Sequence, residues 1–282
     1  MKSFGSIKMK TIVAAGAFTA ASLASLSAQA QGITPEQLGL SQAQVQALLA
    51  GEKPAKAAPG IAFGSPVAFG AGWGNAGVGI GGATQPGAGG NHYDGSAGFV
   101  FGLGDPTKYV GLETEANIIS LRDSGPGDSV AHDGNMAFKL HTALPGNAGF
   151  AVGVENVVRW GNPKKSTGPN GRSSVYAVGT KVFDLDPSSA NRLPLSINVG
   201  VGDNRFTDNG SGGAGVFGSI AFLPISCLSV ITDWTGRSLN MGVSVVPVRS
   251  WPVTVTLGAS DVTSRQGSHP EFAGGIGYSI LF

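Results

Sequence analysis

A single cysteine, Cys227, excludes any internal disulfide. A secreted fold without staples must be held by its own pairing and packing. Charge is scarce too: Asp, Glu, Lys and Arg make up 12% of the chain, with a net of +1. A soluble domain carries about a quarter charged residues, so a fully water-facing surface is not expected. The near-zero balance excludes a field that would gather nucleic acid. After the N-terminal region no run approaches the ~20 apolar residues of a spanning helix. Zinc-ligand spacing, phosphate loops and dinucleotide fingerprints are absent, so no metal and no cofactor is expected.

Glycine is abundant, with 46 residues, and it alternates with large apolar residues, as in Gly149-Phe150-Ala151-Val152-Gly153-Val154. Flexible linkers lack that alternation. An apolar exterior without long apolar runs is what a membrane β-barrel gives, because lipid-facing and lumen-facing side chains alternate along each strand.

The N-terminus reads as an export signal. Lys2, Lys8 and Lys10 precede an apolar stretch that begins Ile12-Val13-Ala14-Ala15-Gly16-Ala17-Phe18, and Ala28-Gln29-Ala30 supplies a small-x-small cleavage site. Residues 1–30 are therefore a signal peptide, and the mature chain is expected to start at Gln31. Residues 31–74 form a periplasmic segment. Thr34-Pro35-Glu36-Gln37 opens one helical turn, and Ser41 caps a second helix with Val45, Leu48 and Leu49 on one face. A Pro/Ala/Lys linker follows at 53–59, and Val67 to Trp73 reads as a plug or edge segment. A solvated tail, a partner-binding helix and a lumen plug are all open readings of this region.

From residue 75 the period is two, and 75–282 is assigned to the barrel. Alternation marks twelve strands, near 76–84, 95–103, 108–121, 134–143, 148–160, 173–183, 193–203, 214–223, 227–235, 237–246, 252–260 and 272–282. Short and long connections mostly alternate, as periplasmic turns and outer loops do. The expected fold is all-β, a membrane-embedded antiparallel up-and-down barrel of about twelve strands after a short helical and linker segment. Fourteen strands is the alternative.

The strand faces carry the functional reading. Trp160 and Trp234 fall at outer ends and Tyr109, Phe222, Trp251 and Phe282 at periplasmic ends, where amphipathic rings favour the headgroup level. The last strand, with Tyr278, Ile280 and terminal Phe282 on one face, resembles the C-terminal signal of outer-membrane proteins. That resemblance implies recognition by the barrel assembly machinery and contact with outer-membrane lipids. Glu113, Glu115, Asn117, Lys139, His141, Glu155, Arg159 and Lys181 are the expected lumen-lining residues. The favoured function is a narrow passive channel for small polar solutes, its passage set by those charges. A closed structural or polysaccharide-secretion accessory barrel is the alternative.

A lipid hydrolase is the second alternative, weakened because His141, the one strand histidine, has no serine placed beside it, and no catalytic residue is assigned. The basic loop with Lys164, Lys165 and Arg172 is read as solvated. Finally, Asp233-Trp234-Thr235-Gly236-Arg237-Ser238-Leu239-Asn240-Met241-Gly242 resembles a hairpin of YjbH-type barrels, with Trp in place of the usual Tyr. The match covers ten residues and implies a link to exopolysaccharide traffic.

Overall fold

The computed structural model describes residues 57–282 apart from 88–89, 122–131, 162–171, 189–191, 209–212 and 267–268. The signal peptide, the helix expected after Ser41 and the lysines of the basic loop lie outside the described residues. The rest forms twelve strands. They are β1 (Asn75–Gly87), β2 (Gly90–Gly104), β3 (Gly111–Ile118), β4 (Gly134–Leu144), β5 (Ala148–Trp160), β6 (Ser174–Asp184), β7 (Pro194–Gly202), β8 (Gly215–Ile225), β9 (Leu228–Trp234), β10 (Leu239–Val245), β11 (Val253–Ser260) and β12 (Glu271–Leu281). Each pairs antiparallel with its neighbour in sequence, and β1 closes on β12, with Asn75 opposite Leu281 and Ala83 opposite Ala273. Closure removes both sheet edges.

An even strand count returns the chain to the rim where it began. We call this the C-terminal rim and the other the far rim. Tight connections follow β4 and β8 at the C-terminal rim, and β1 and β9 at the far rim. In Pro145-Gly146-Asn147, Gly146 and Asn147 both take positive φ, a conformation these two residue types adopt readily. Two register shifts interrupt the ladder. One lies between Met136 and Phe138, where β5 bulges and Asn156 takes φ 56°; the other lies in β8, where Pro224 has no N–H to donate.

The period-two pattern sorts side chains cleanly. In β9, Ser229, Ile231 and Asp233 are buried, whereas Val230 and Thr232 between them are exposed. The exterior is apolar through Ile80, Phe99, Phe150, Val152, Val175, Val199, Val216, Ile220, Val243, Leu257 and Ile276, all exposed. An apolar outer surface on this scale is the feature that lipid would cover.

The core lies inside the barrel, and residues 58–72 build it. From the C-terminal rim this segment rises beside β8–β11, turns at Gly64 and descends beside β3–β7 into β1. Gly64 takes φ +118°, which only glycine adopts without strain. Ile61, Phe63, Val67 and Phe69 pack in one cluster with Val182, Ala221, Leu223 and Ile231. Ala68 packs in another with Tyr176, Val178, Phe206 and Phe217. Phe63 is fully buried. Its ring lies where Cβ atoms at Gly242 and Gly258 would be, 2.8 Å from each. Glycines on the inner wall therefore make room for hairpin side chains.

Candidate functional site

The hairpin presents small and apolar side chains, so its polar groups are almost all main-chain amides. Buried amides need partners, and the barrel wall supplies them with side chains. Along the rising arm the partners are hydroxyls: Thr254 Oγ1 donates to Ala58 O at 3.1 Å, Ser229 Oγ to Gly60 O at 2.5 Å, and Ser219 Oγ to Ile61 O at 3.0 Å. Gly60 N donates in turn to Ser244 Oγ at 2.8 Å.

At the tip a carboxylate takes over. Phe63 N and Ser65 N donate to Asp233 Oδ2 at 2.8 and 3.2 Å, and Ser65 Oγ donates to Asp233 Oδ1 at 2.7 Å. Asn240 Nδ2 donates to Phe63 O at 2.8 Å. Arg205, on a 3-10 turn at Asn204–Phe206 that folds into the lumen, donates to Gly64 O at 3.2 Å. Both Arg205 Nε and a terminal nitrogen, the latter at 2.7 Å, grip the Glu155 carboxylate. Burial alone would lower the guanidinium pKa, but the Glu155 carboxylate more than offsets this and holds Arg205 above its ordinary value.

Down the second arm the wall becomes ionic. Asn198 Nδ2 donates to Pro66 O at 2.8 Å, and Ala68 N donates to Thr180 Oγ1 at 2.9 Å. Next come Lys139 Nζ to Phe69 O at 2.8 Å and Ala71 N to Glu113 Oε2 at 2.6 Å. His141 Nε2 meets Ala71 O at 2.9 Å, which makes Nε2 the protonated nitrogen. Glu113 and Lys139 face each other in the β3–β4 register and form an ion pair of 2.6 Å. Charge-assisted hydrogen bonds of this kind are about twice as strong as neutral ones.

The expected lumen residues therefore divide. Glu113, Asn117, Lys139, His141 and Glu155 are buried inside the barrel, and Glu115 is half-buried between Glu113 and Asn117 on the same face. Asn117 Nδ2 donates to Asn135 Oδ1 at 3.1 Å, above the hairpin. Arg159 is exposed at the far rim, beyond the β5 bulge, opposite Asn135.

Lys181 must be corrected. On β6 the buried residues are Tyr176, Val178, Thr180 and Val182, so Lys181 has the outward parity. Its ammonium bonds the Gly146 carbonyl and lies 5.6 Å from the Phe183 ring centre. The inner face of β6 carries Tyr176, Val178 and Val182 beside Thr180 and Ser174 because the hairpin packs on it, which departs from the usual polar-inside reading.

Asp233, Asn240, Ser65 and Arg205 are tip residues that a reading of strand charge does not single out. Asp233 was legible by parity with Ser229. Arg205 was not, since a loop arginine carries no periodicity. At the other end of the molecule, Phe282 stacks on Phe101 with ring centres 5.8 Å apart and meets Trp73 edge-on at 5.9 Å, while Phe282 N donates to Gly74 O at 3.0 Å. Tyr278 is exposed on the outer wall opposite Val253, and Ile280 is half-buried opposite Ala76.

Within the 233–242 segment, Asp233, Trp234 and Asn240 all bond the hairpin tip, and Arg205 holds it from the other side. The chain as a whole matches no protein-family model and no curated protein.

Proposed function

We propose that the protein is an outer-membrane barrel, exported through a cleaved signal peptide, whose lumen is closed at rest by its own hairpin and passes small polar solutes when the hairpin is displaced. The observation that carries this reading is the hairpin itself: residues 58–72 occupy the lumen, bonded through their main chain to β3, β4 and β6–β11. An open pore lined by free charges does not fit that occupancy. The apolar exterior supports placement in lipid; the small-x-small site Ala28-Gln29-Ala30 supports Gln31 as the mature N-terminus, and the short connections after β4 and β8 support the C-terminal rim at the periplasm.

A permanently closed accessory barrel, in line with the resemblance over 233–242, is the second reading. It is favoured by the depth of the Glu113–Lys139 and Glu155–Arg205 pairs, because buried ionic latches resist opening.

Planar-bilayer recording of the full-length protein separates the two. The wild type should be silent apart from brief openings, and Asp233→Ala/Asn240→Ala should conduct steadily. Silence of a folded, heat-modifiable double variant would leave the closed scaffold. Steady wild-type conductance would contradict closure at rest.

A further inference from the structure

The two arms of the hairpin are held by different chemistry, and this has a consequence for how the lumen opens. The rising arm, residues 58–62, is fixed by the neutral hydroxyls of Thr254, Ser244, Ser229 and Ser219. The descending arm, residues 66–72, is fixed by the Glu113–Lys139 pair, His141, Thr180 and Asn198. It is also spliced into β1, and Trp73 N donates to Gly104 O at 2.7 Å beside the junction. Apolar anchoring is comparable on the two sides: Ile61, Ala62 and, at the tip, Phe63 against β10 and β11 on one, and Val67, Ala68, Phe69 and Ala71 on the other, all buried.

The wall behind each arm differs in the same sense. Buried or half-buried polar residues on the inner face of β8–β11 are Ser219, Ser229, Asn240, Ser244, Thr254, Thr256 and Ser260, with Asp233 at the tip the one charge among the described residues of that face. Glu113, Glu115, Lys139, His141 and Glu155 lie on β3–β5, the descending side, and Arg205 bonds Glu155 from beside the tip. There the ionic groups are already engaged with the hairpin or with each other.

Resting on the gated-barrel reading above, we infer that the lumen opens one arm at a time: the rising arm leaves, the descending arm stays, and the passage exposed along β8–β11 admits uncharged, hydroxyl-rich solutes in preference to ions. Neutral hydrogen bonds yield first because they are about half as strong as charge-assisted ones. The vacated Ser and Thr hydroxyls then offer donors and acceptors in pairs, as Ser244 Oγ and Thr256 Oγ1 do at 2.8 Å. On the C-terminal-rim side of Asp233 at the tip and of Glu271 opposite Ser260, such a wall replaces the hydration of a neutral hydroxyl but supplies no counter-charge for an ion.

Two engineered disulfides test this, because the geometry offers one lock per arm. A Cβ at Gly60 lies 3.6 Å from Ser244 Cβ, and a Cβ at Gly149 lies 3.4 Å from Ala68 Cβ, with the Phe69 ring edge, 2.9 Å away, having to turn aside. Both are close to the spacing a disulfide spans. With Cys227→Ser and Asp233→Ala/Asn240→Ala as background, Gly60→Cys/Ser244→Cys should lose conductance at least about tenfold on oxidation and regain it on reduction. Ala68→Cys/Gly149→Cys should conduct alike in both redox states. Closure by the second lock, alone or together with the first, would overturn one-armed opening. Conductance from which neither formed lock subtracts would instead remove the hairpin as the gate, and the proposed function with it.

Thiol labelling needs no disulfide to form. In the otherwise wild-type, cysteine-free full chain, Gly60→Cys should react with a water-soluble maleimide at least about tenfold faster than Ala68→Cys, and equal rates would refute the asymmetry. For the solute class, liposome swelling with the loosened variant should be faster for a neutral pentose than for the sugar acid of the same size. Equal or faster entry of the acid would overturn the assignment.

Discussion

Replacing Lys139 by Ala is the most informative perturbation of the wall. Its ammonium has two partners, Glu113 Oε1 at 2.6 Å and Phe69 O at 2.8 Å, and its side chain is 9% exposed against 1% for Glu113. In a water-filled pore such a pair contributes at most ~1 kcal/mol and is screened by salt. Here the hairpin covers it, so truncation leaves a buried carboxylate with Ala71 N as its remaining donor. Removing one partner of a buried pair costs about 3–5 kcal/mol. That cost should appear in reversible urea unfolding from lipid vesicles, followed by tryptophan fluorescence. Glu113→Gln/Lys139→Met should recover most of it, because two neutral groups of similar volume replace the pair without stranding a charge. A Lys139→Ala penalty below about 1 kcal/mol, lost in high salt, would mean that water reaches the pair and that the hairpin does not seal this end.

Other positions give sharp outcomes. A Cβ at Gly102 would lie 2.3 Å from Gly72 O and 2.4 Å from the Ala71 carbonyl carbon. Gly102→Ala should therefore push the descending arm off the wall at a cost of about 1–3 kcal/mol, raising hydrogen exchange at the Ala71 amide; unchanged exchange would contradict the contact. The β2–β3 turn should be acid-sensitive. Hydrogen bonds, the Thr107 hydroxyl first, hold the Asp105 carboxyl down at about 2, so its contribution is present above the unfolded carboxylate range and lost as pH falls through about 2. Amide exchange at Thr107 and Lys108 reads this, and protection that does not change with acid would refute it. Phe282→Ala removes the ring between Trp73 and Phe101 and should lower the yield of heat-modifiable barrel; a wild-type yield would count against a role for that ring in assembly.

The barrel was legible because its signals are local and repeated. Alternation such as Ser229-Val230-Ile231-Thr232-Asp233 declares a strand, and turn residues such as Pro145-Gly146-Asn147 mark where it reverses. The strand ends expected at 134, 148, 160 and 260 are those of the structure. The facing of Glu113 and Lys139 follows from antiparallel pairing that sets Gly111 level with His141 at the C-terminal rim. The bulge in β5 was hidden, since two extra residues keep the parity of the strand. As a result Arg159, in place of Val157, stands opposite Asn135, while Glu155 pairs with Arg205, a partner from a loop.

What escaped the sequence has one physical source. A strand pattern reports which residues differ in polarity across a sheet, and it says nothing about what fills the space behind them. Once residues 58–72 occupy the lumen, the inner wall must pack apolar side chains as well as satisfy amides. Tyr176, Val178 and Val182 then face inward and Lys181 faces out. The same occupancy changes what the inner charges do. Glu113 is bonded to Lys139 and to Ala71 N, Lys139 also to Phe69 O, and Glu155 to Arg205. Groups so engaged are poor selectors of passing ions, since each would have to give up a buried partner to meet one. Under the one-armed opening proposed above, selectivity falls to the wall that the hairpin would leave first, the hydroxyl face of β8–β11.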